Sequence, residues 1–232
     1  MSAPDDVASV GAHRFAQRLA ELRARVDALA AGRDITIVAV TKSFDESHVR
    51  EAIAAGAVDV GESYAQEVVE KWRRLTEDEQ RRARLHFIGR LQTNKVRLVA
   101  PFVALWQSID RPELAERVAR HAPDASVLVQ VNISGEPQKG GCAPTDVAAL
   151  IERCSVLGLD VRGLMGVGPA GSRDATRSAF QSLRSLVDRF GLPICSMGMT
   201  DDLDIALAEG STMVRVGSAL FGPRPEKPDL RH

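Results

Sequence analysis

A lysine stands where an apolar, β-branched run stops: Ile37-Val38-Ala39-Val40-Thr41-Lys42, followed by Ser43 and Asp45. A lysine at such a strand end is a candidate amine nucleophile if burial depresses its pKa, or a plain surface cation if its stem only carries the charge to water. Position alone does not separate the two. Two further clusters bear on the choice, Ser196-Met197-Gly198-Met199-Thr200 and Arg215-Val216-Gly217-Ser218. Glycines at 198 and 217 let backbone N–H groups approach phosphate oxygens. Hydroxyls of Ser196, Thr200 and Ser218 are donors beside them, and a helix opening at Asp201 or near Ser218 adds its dipole. Arg215 shares strand parity with Gly217, so a ligand facing one faces the other.

These residues need a scaffold that brings distant strand ends together. Eight β-branched runs alternate with stretches of helical period: 35–40, 58–61, 85–89, 103–109, 126–133, 161–167, 194–198 and 213–217. Such alternation predicts βα units and a parallel sheet, closed as a (β/α)8 TIM-type barrel or open as a doubly wound sheet. We favour the barrel, because closure makes strands one and eight neighbours and so sets Lys42 beside the cluster at 215–218. Barrel active sites lie at the C-terminal strand ends, with phosphate held after strands seven and eight. Helices are predicted to open at Asp45, Thr145 and Asp201 and to end at Gly56, Gly158 and Gly210.

Within residues 1–34, Phe15, Leu19, Leu22, Val26 and Leu29 form one apolar stripe, predicting an extra helix packed on the barrel. The segment Arg73–Arg84 reads as a solvated helix end of mixed charge, and proline-rich 223–232 as a disordered tail. No linker interrupts the middle, so residues 1–232 are taken as one domain.

Of 232 residues, 44% are hydrophobic and the formal net charge is -1, enough apolar material for a sizeable core and no cationic excess for a nucleic-acid backbone. No apolar run nears the ~20 residues that span a bilayer, and the N-terminus lacks the pattern of a secretory signal. Acidic residues among its arginines count against a transit peptide. A cytoplasmic location is expected. Cys142, Cys154 and Cys195 are odd in number and never arranged as CxxC, so they predict reduced, buried thiols and no metal site.

An amine, a phosphate cradle and a guanidinium at one mouth match the aldehyde, phosphate and ring nitrogen of pyridoxal 5'-phosphate (PLP). To form a Schiff base the lysine must be neutral, and from an ordinary pKa of ~10.4 only about one molecule in a few thousand is so at pH 7. Burial and the charge of Arg215 both act to lower that value. A barrel enzyme acting on sugar phosphates, without PLP, is a further possibility.

The chain closely resembles the PLP homeostasis proteins, the YggS/PROSC family. The resemblance covers most of the sequence and rests on VAVTK around Lys42, GESYAQE (61–67), HFIGRLQTNK (86–95), SID (108–110), VNISGEPQKGG, RGLM (162–165), SMGMTDD (196–202) and STMVRVGSALFG (211–222). It implies a barrel like the N-terminal domain of alanine racemase, with Lys42 as the Schiff-base lysine. It also implies that Ser196, Thr200, Arg215, Gly217 and Ser218 surround phosphate and ring, with Arg215 at the pyridine nitrogen. The family usually has Asn where this chain has Ser63, and Ser where it has Thr200; the second exchange keeps a hydroxyl, the first loses an amide, and Ser63 is left out of the site. Lys139, a possible second attachment point in the family, is read here as an exposed loop lysine. His86 and Asn94 are read as core packing and loop hydrogen bonding.

An arginine at the ring nitrogen cannot protonate it, which weakens the cofactor as an electron sink, and no second domain follows strand eight to supply an opposing base. The resemblance agrees, implying a monomeric PLP carrier or regulator in vitamin B6 and amino-acid balance that serves PLP-dependent apoenzymes. The alternative is an amino-acid racemase, with Tyr64 as its second base.

Overall fold

The computed structural model describes residues 4–223, so the expected tail at 224–232 lies outside the described residues. Eight parallel strands, β1 (Thr36–Val40), β2 (Asp59–Glu62), β3 (Arg84–Phe87), β4 (Val103–Ile109), β5 (Ser126–Val131), β6 (Asp160–Gly166), β7 (Ile194–Ser196) and β8 (Met213–Val216), form a closed barrel in sequential order. The open, doubly wound alternative is thereby excluded. β-Branched and leucine-rich strands suit this geometry because both faces are covered, the outer by helices and the inner by facing strands. Strand β8 closes on β1 with Val38 opposite Arg215 and Ala39 opposite Val216. Gly61 lies opposite Val40 across the β1–β2 pair.

The helices are α1 (Pro4–Leu29), α2 (Glu46–Ala54), α3 (Ala65–Trp72), α4 (Glu77–Arg82), α5 (Val96–Val99), α6 (Pro112–His121), α7 (Val147–Val156), α8 (Arg173–Arg189), α9 (Leu203–Ala208) and α10 (Ser218–Phe221). Since α10 is a single turn, the outer face of the β8–β1 seam needs another cover, and α1 supplies it. Phe15, Leu22 and Val26 of α1 pack with Ile37 and Ala39 of β1, Val214 and Val216 of β8 and Leu220 of α10. The predicted stripe stops one residue early: Leu29 is 39% exposed while Ala30 is buried.

Asp45 caps α2 as expected, accepting the Ser47 N–H at 3.1 Å. Two other helix starts move. Thr145 lies in a 3-10 turn (Pro144–Asp146) ahead of α7, and α9 begins after Asp202, whose carboxylate is taken by the Met199 N–H of the preceding turn. Gly56, Gly158 and Gly210 end their helices with φ of 83°, 77° and 89°, the left-handed conformation that glycine adopts without a Cβ clash. The mixed-charge segment holds a helix of its own, α4, closed by a capping box between Thr76 and Glu79.

Inside the barrel Val38, Leu105, Leu128, Met165 and Met213 form an apolar cluster. Cys154 and Cys195 are buried, Cys142 is half-buried, and all three are free; burial pushes their thiols up to about 11, about 12 and about 11 respectively. Among the described residues no helix is long and apolar enough to cross a membrane, and no cluster of His, Cys, Asp and Glu is arranged to hold a metal.

Candidate functional site

Lys42 is the first residue of the turn that leaves β1, and it is half-buried. That turn is closed by the Phe44 N–H on the Thr41 carbonyl (3.1 Å) and holds Ser43 at a φ of 69°, a conformation that costs a non-glycine residue free energy and needs outside support. Support comes from a buried ion cluster on β2 and α3. The Ser43 N–H donates to Glu67 Oε2 (2.7 Å), Lys71 Nζ donates to the Thr41 carbonyl (2.7 Å), and the Thr41 hydroxyl donates to Glu62 Oε1 (2.6 Å). Lys71 also pairs with Glu62, and both are almost fully buried. Burial raises the Glu62 carboxyl above its ordinary value despite Lys71 and Thr41, and its Oε2 has no hydrogen-bond partner among the described residues. The sequence reading missed this cluster, although Glu62 and Glu67 both stand in the motif at 61–67.

On the other side of the seam, a Cβ placed on Gly217 would sit 3.3 Å from the Val40 carbonyl oxygen, so β8 meets the lysine-bearing strand as closely as a glycine permits. Gly198, at a φ of 99°, would bring a Cβ to 2.5 Å from the Ala206 Cβ, so its bare backbone serves both the turn and the seating of α9. Ser218 donates to the Thr200 hydroxyl at 3.2 Å; the first side chain is exposed, the second half-buried. Gly198, Thr200, Gly217 and Ser218 therefore share one stretch of the rim, next to the turn that carries Lys42.

Ser196 and Arg215 lie below that rim, inside the barrel, and belong to a chain of hydrogen bonds across it. Arg215 donates through Nη1 to Ser196 Oγ (2.6 Å) and through Nη2 to the Gly166 carbonyl (2.9 Å). Ser196 donates to Gln107 Oε1 (2.7 Å), and Gln107 Nε2 donates to His86 Nδ1 (2.7 Å). Because an amide nitrogen only donates, Nδ1 accepts and the imidazole hydrogen sits on Nε2, facing Asp59 Oδ1 at 3.0 Å. Arg84 completes the chain with two bonds to Asp59, at 2.8 and 2.6 Å. Burial pushes the Asp59 carboxyl up, but the hydrogen bonds of His86 and Arg84 and the Arg84 charge outweigh it and hold it below the usual range. The expectation of core packing for His86 holds in this hydrogen-bonded form. Gln107 was missed, although a glutamine inside an otherwise apolar strand is a visible signal of an inward polar role.

Arg215 is 5% exposed, and among the described residues no carboxylate forms an ion pair with it. Burial pulls its pKa down to about 10, so it remains cationic at neutral pH. A buried guanidinium with two neutral acceptors retains three N–H donors, and the carboxylate of Asp202 acts on its charge without forming an ion pair. Lys139 differs from its expectation as an exposed loop residue: it is half-buried, paired with Glu136 at 2.7 Å and donating to the Gly168 carbonyl at 2.6 Å. Asn94 is exposed and Ser63 half-buried, on the other half of the mouth.

With this geometry in place, the sequence matches the model of the alanine racemase N-terminal domain over residues 13–225. It is 42% identical over 223 residues to the pyridoxal phosphate homeostasis protein of Pseudomonas aeruginosa, covering 90% of this chain and 96% of that one. The chain belongs to this family. It is 38% identical to the protein of the same name from Escherichia coli K12, over 90% of this chain and 97% of the relative. Among solved structures, PipY of Synechococcus elongatus, determined with PLP bound, superposes with a TM-score of 0.79 at 32% identity, covering 90% of this chain and all of that one.

Proposed function

We propose that this protein binds PLP at the mouth formed by β1, β7 and β8, holds it through a Schiff base to Lys42, and carries or regulates it in vitamin B6 and amino-acid homeostasis without turning over a substrate. The observation that carries the reading is the buried Arg215, cationic and, among the described residues, in no ion pair, beneath a rim of two glycines and two hydroxyls at the seam bearing a half-buried lysine. A phosphate fits the rim and a ring nitrogen fits the remaining donors of the guanidinium. PipY, a third identical in sequence, was crystallised with PLP bound, and the relatives' name points the same way.

When bound, PLP supplies an aldehyde that condenses with an amine and releases water. The chain's own residues then divide the work. The ion cluster of Lys71, Glu62 and Glu67 fixes the strained turn and with it the backbone of Lys42. Thr200, Ser218 and the N–H groups beside Gly198 and Gly217 bind the phosphate. Ser196, whose hydrogen already goes to Gln107, orients Arg215 from below instead of donating to the ligand. Arg215 donates to the ring nitrogen and keeps its own proton at neutral pH, which disfavours substrate deprotonation and so favours a carrier over a racemase.

The test is to load the protein with PLP, reduce with borohydride, and locate the added mass by peptide mass spectrometry. The expected site is Lys42, with no adduct there in Lys42→Ala; attachment elsewhere, or none, overturns the reading. Incubating the loaded protein with individual amino acids separates carrier from enzyme, since sustained racemisation would establish the racemase alternative.

A further inference from the structure

Across the mouth from Gly198, the C-terminal ends of β2, β3 and β4 enclose a cavity of about 540 Å³. In a ring of eight sequential strands β3 stands four places from β7, so this cavity occupies the half of the mouth opposite Thr200. The motif His86–Lys95 builds it. A Cβ on Gly89 would lie 2.1 Å from the Ser63 carbonyl oxygen, so only glycine lets the segment after β3 cross the loop after β2. Leu91, 2% exposed, anchors that segment, and Arg111 ties it down by donating to the Leu91 carbonyl at 2.9 Å.

The lining of this cavity contains three cations, Arg90, Lys95 and Arg111, and no carboxylate. Arg111 is partly neutralised by Asp110. Arg90 and Lys95 differ: among the described residues neither side chain has a hydrogen-bond or carboxylate partner. Gathering like charges around a concavity raises the local potential and contributes nothing to folding. A chain with 31 acidic and 30 basic residues had carboxylates enough to pair them. Tyr64, 49% exposed, and Phe87 add aromatic wall. The volume falls in the range of small-molecule pockets, ~300–1,000 Å³.

We propose that this cavity is a second anion site, taking a small molecule with two or more negative charges on phosphate or carboxylate groups, held by Arg90 and Lys95 and distinct from the PLP cradle. The site does not depend on the PLP reading.

The experiment is a titration of the ¹⁵N-labelled full chain with inorganic phosphate and, separately, with succinate, followed amide by amide. The expected result is saturable shifts at Ser63, Gln92 and Lys95, with affinity at least about tenfold weaker in Arg90→Ala/Lys95→Ala, the loss of one or more charge-assisted hydrogen bonds. Both substitutions leave the Arg111 tether intact, so an unchanged spectrum elsewhere shows that the variant folds. Stronger binding of one probe assigns the ligand as phosphate-bearing or dicarboxylate. No shift at these amides with either probe, or shifts that persist unweakened in the double variant, overturns the proposal. Phosphate shifts confined to Gly217 and Ser218 report the cofactor cradle and likewise count against a second site.

Discussion

The hydrogen-bond chain inside the barrel predicts that Gln107 is worth far more than its lack of contact with any ligand suggests. Gln107 is fully buried and bridges His86 and Ser196 at 2.7 Å on each side. Gln107→Leu keeps roughly the same volume but orphans the His86 acceptor and the Ser196 hydroxyl, and each buried orphan costs about 1–3 kcal/mol. The leucine returns about 1–2 kcal/mol of apolar burial. A net loss of about 2.5 kcal/mol is expected at the centre of these ranges, measured by urea unfolding with the slope unchanged. The same substitution frees Ser196 to rotate, so Arg215 loses a fixed partner and PLP affinity falls as well. Because Gln107 and Ser196 act on Arg215 in series, Gln107→Leu and Ser196→Ala should be non-additive. A stability loss below about 1 kcal/mol, or a double variant that matches the sum of the singles to within about 0.5 kcal/mol, refutes the chain as a coupled unit.

Gly217→Val places its Cβ 3.3 Å from the Val40 carbonyl and its methyls closer still. It should cost about 1–3 kcal/mol of stability and weaken PLP binding in an absorbance titration, whereas unaltered affinity removes the end of β8 from the cradle. Asp59 has a carboxyl depressed below its ordinary 3.8, so the native state binds fewer protons than the unfolded one; its stabilisation is present above 3.8 and lost as pH falls through the lower native value. Asp59→Asn should therefore cost about 1–3 kcal/mol at pH 7, with the gap to wild type closing in acid; a gap independent of pH contradicts the ion-paired assignment. On α1, Val26→Ala should cost about 2 kcal/mol and Leu29→Ala less than about 0.5 kcal/mol, because Val26 is fully buried and Leu29 is 39% exposed; equal losses would mean α1 sits differently on the seam.

Much of the scaffold is written locally. Each strand is a short run rich in β-branched and other apolar residues, and all eight runs coincide with β1–β8 to within two residues at each end. Lys42 at a strand end, the glycines at 198 and 217 and the parity of Arg215 are also local facts, because alternation along a strand needs no knowledge of its neighbours. The resemblance of the motifs then narrowed the ligand to one compound class. Helix starts were less legible where two acidic or hydroxyl residues competed: at α9 the Asp202 carboxylate serves the preceding turn, a choice made by loop geometry.

What tertiary structure alone decided is which polar groups meet. Asp59 and His86 are 27 residues apart, Gln107 and Ser196 are 89 apart, and they touch because ring closure points all four into one lumen at matching heights. Closure also set α1 over the seam that the one-turn α10 leaves bare, and gathered Arg90, Lys95 and Arg111 around one cavity. A sequence specifies period and parity through nearest-neighbour sterics. The partners across a barrel follow from strand register and shear, which are properties of all eight strands at once.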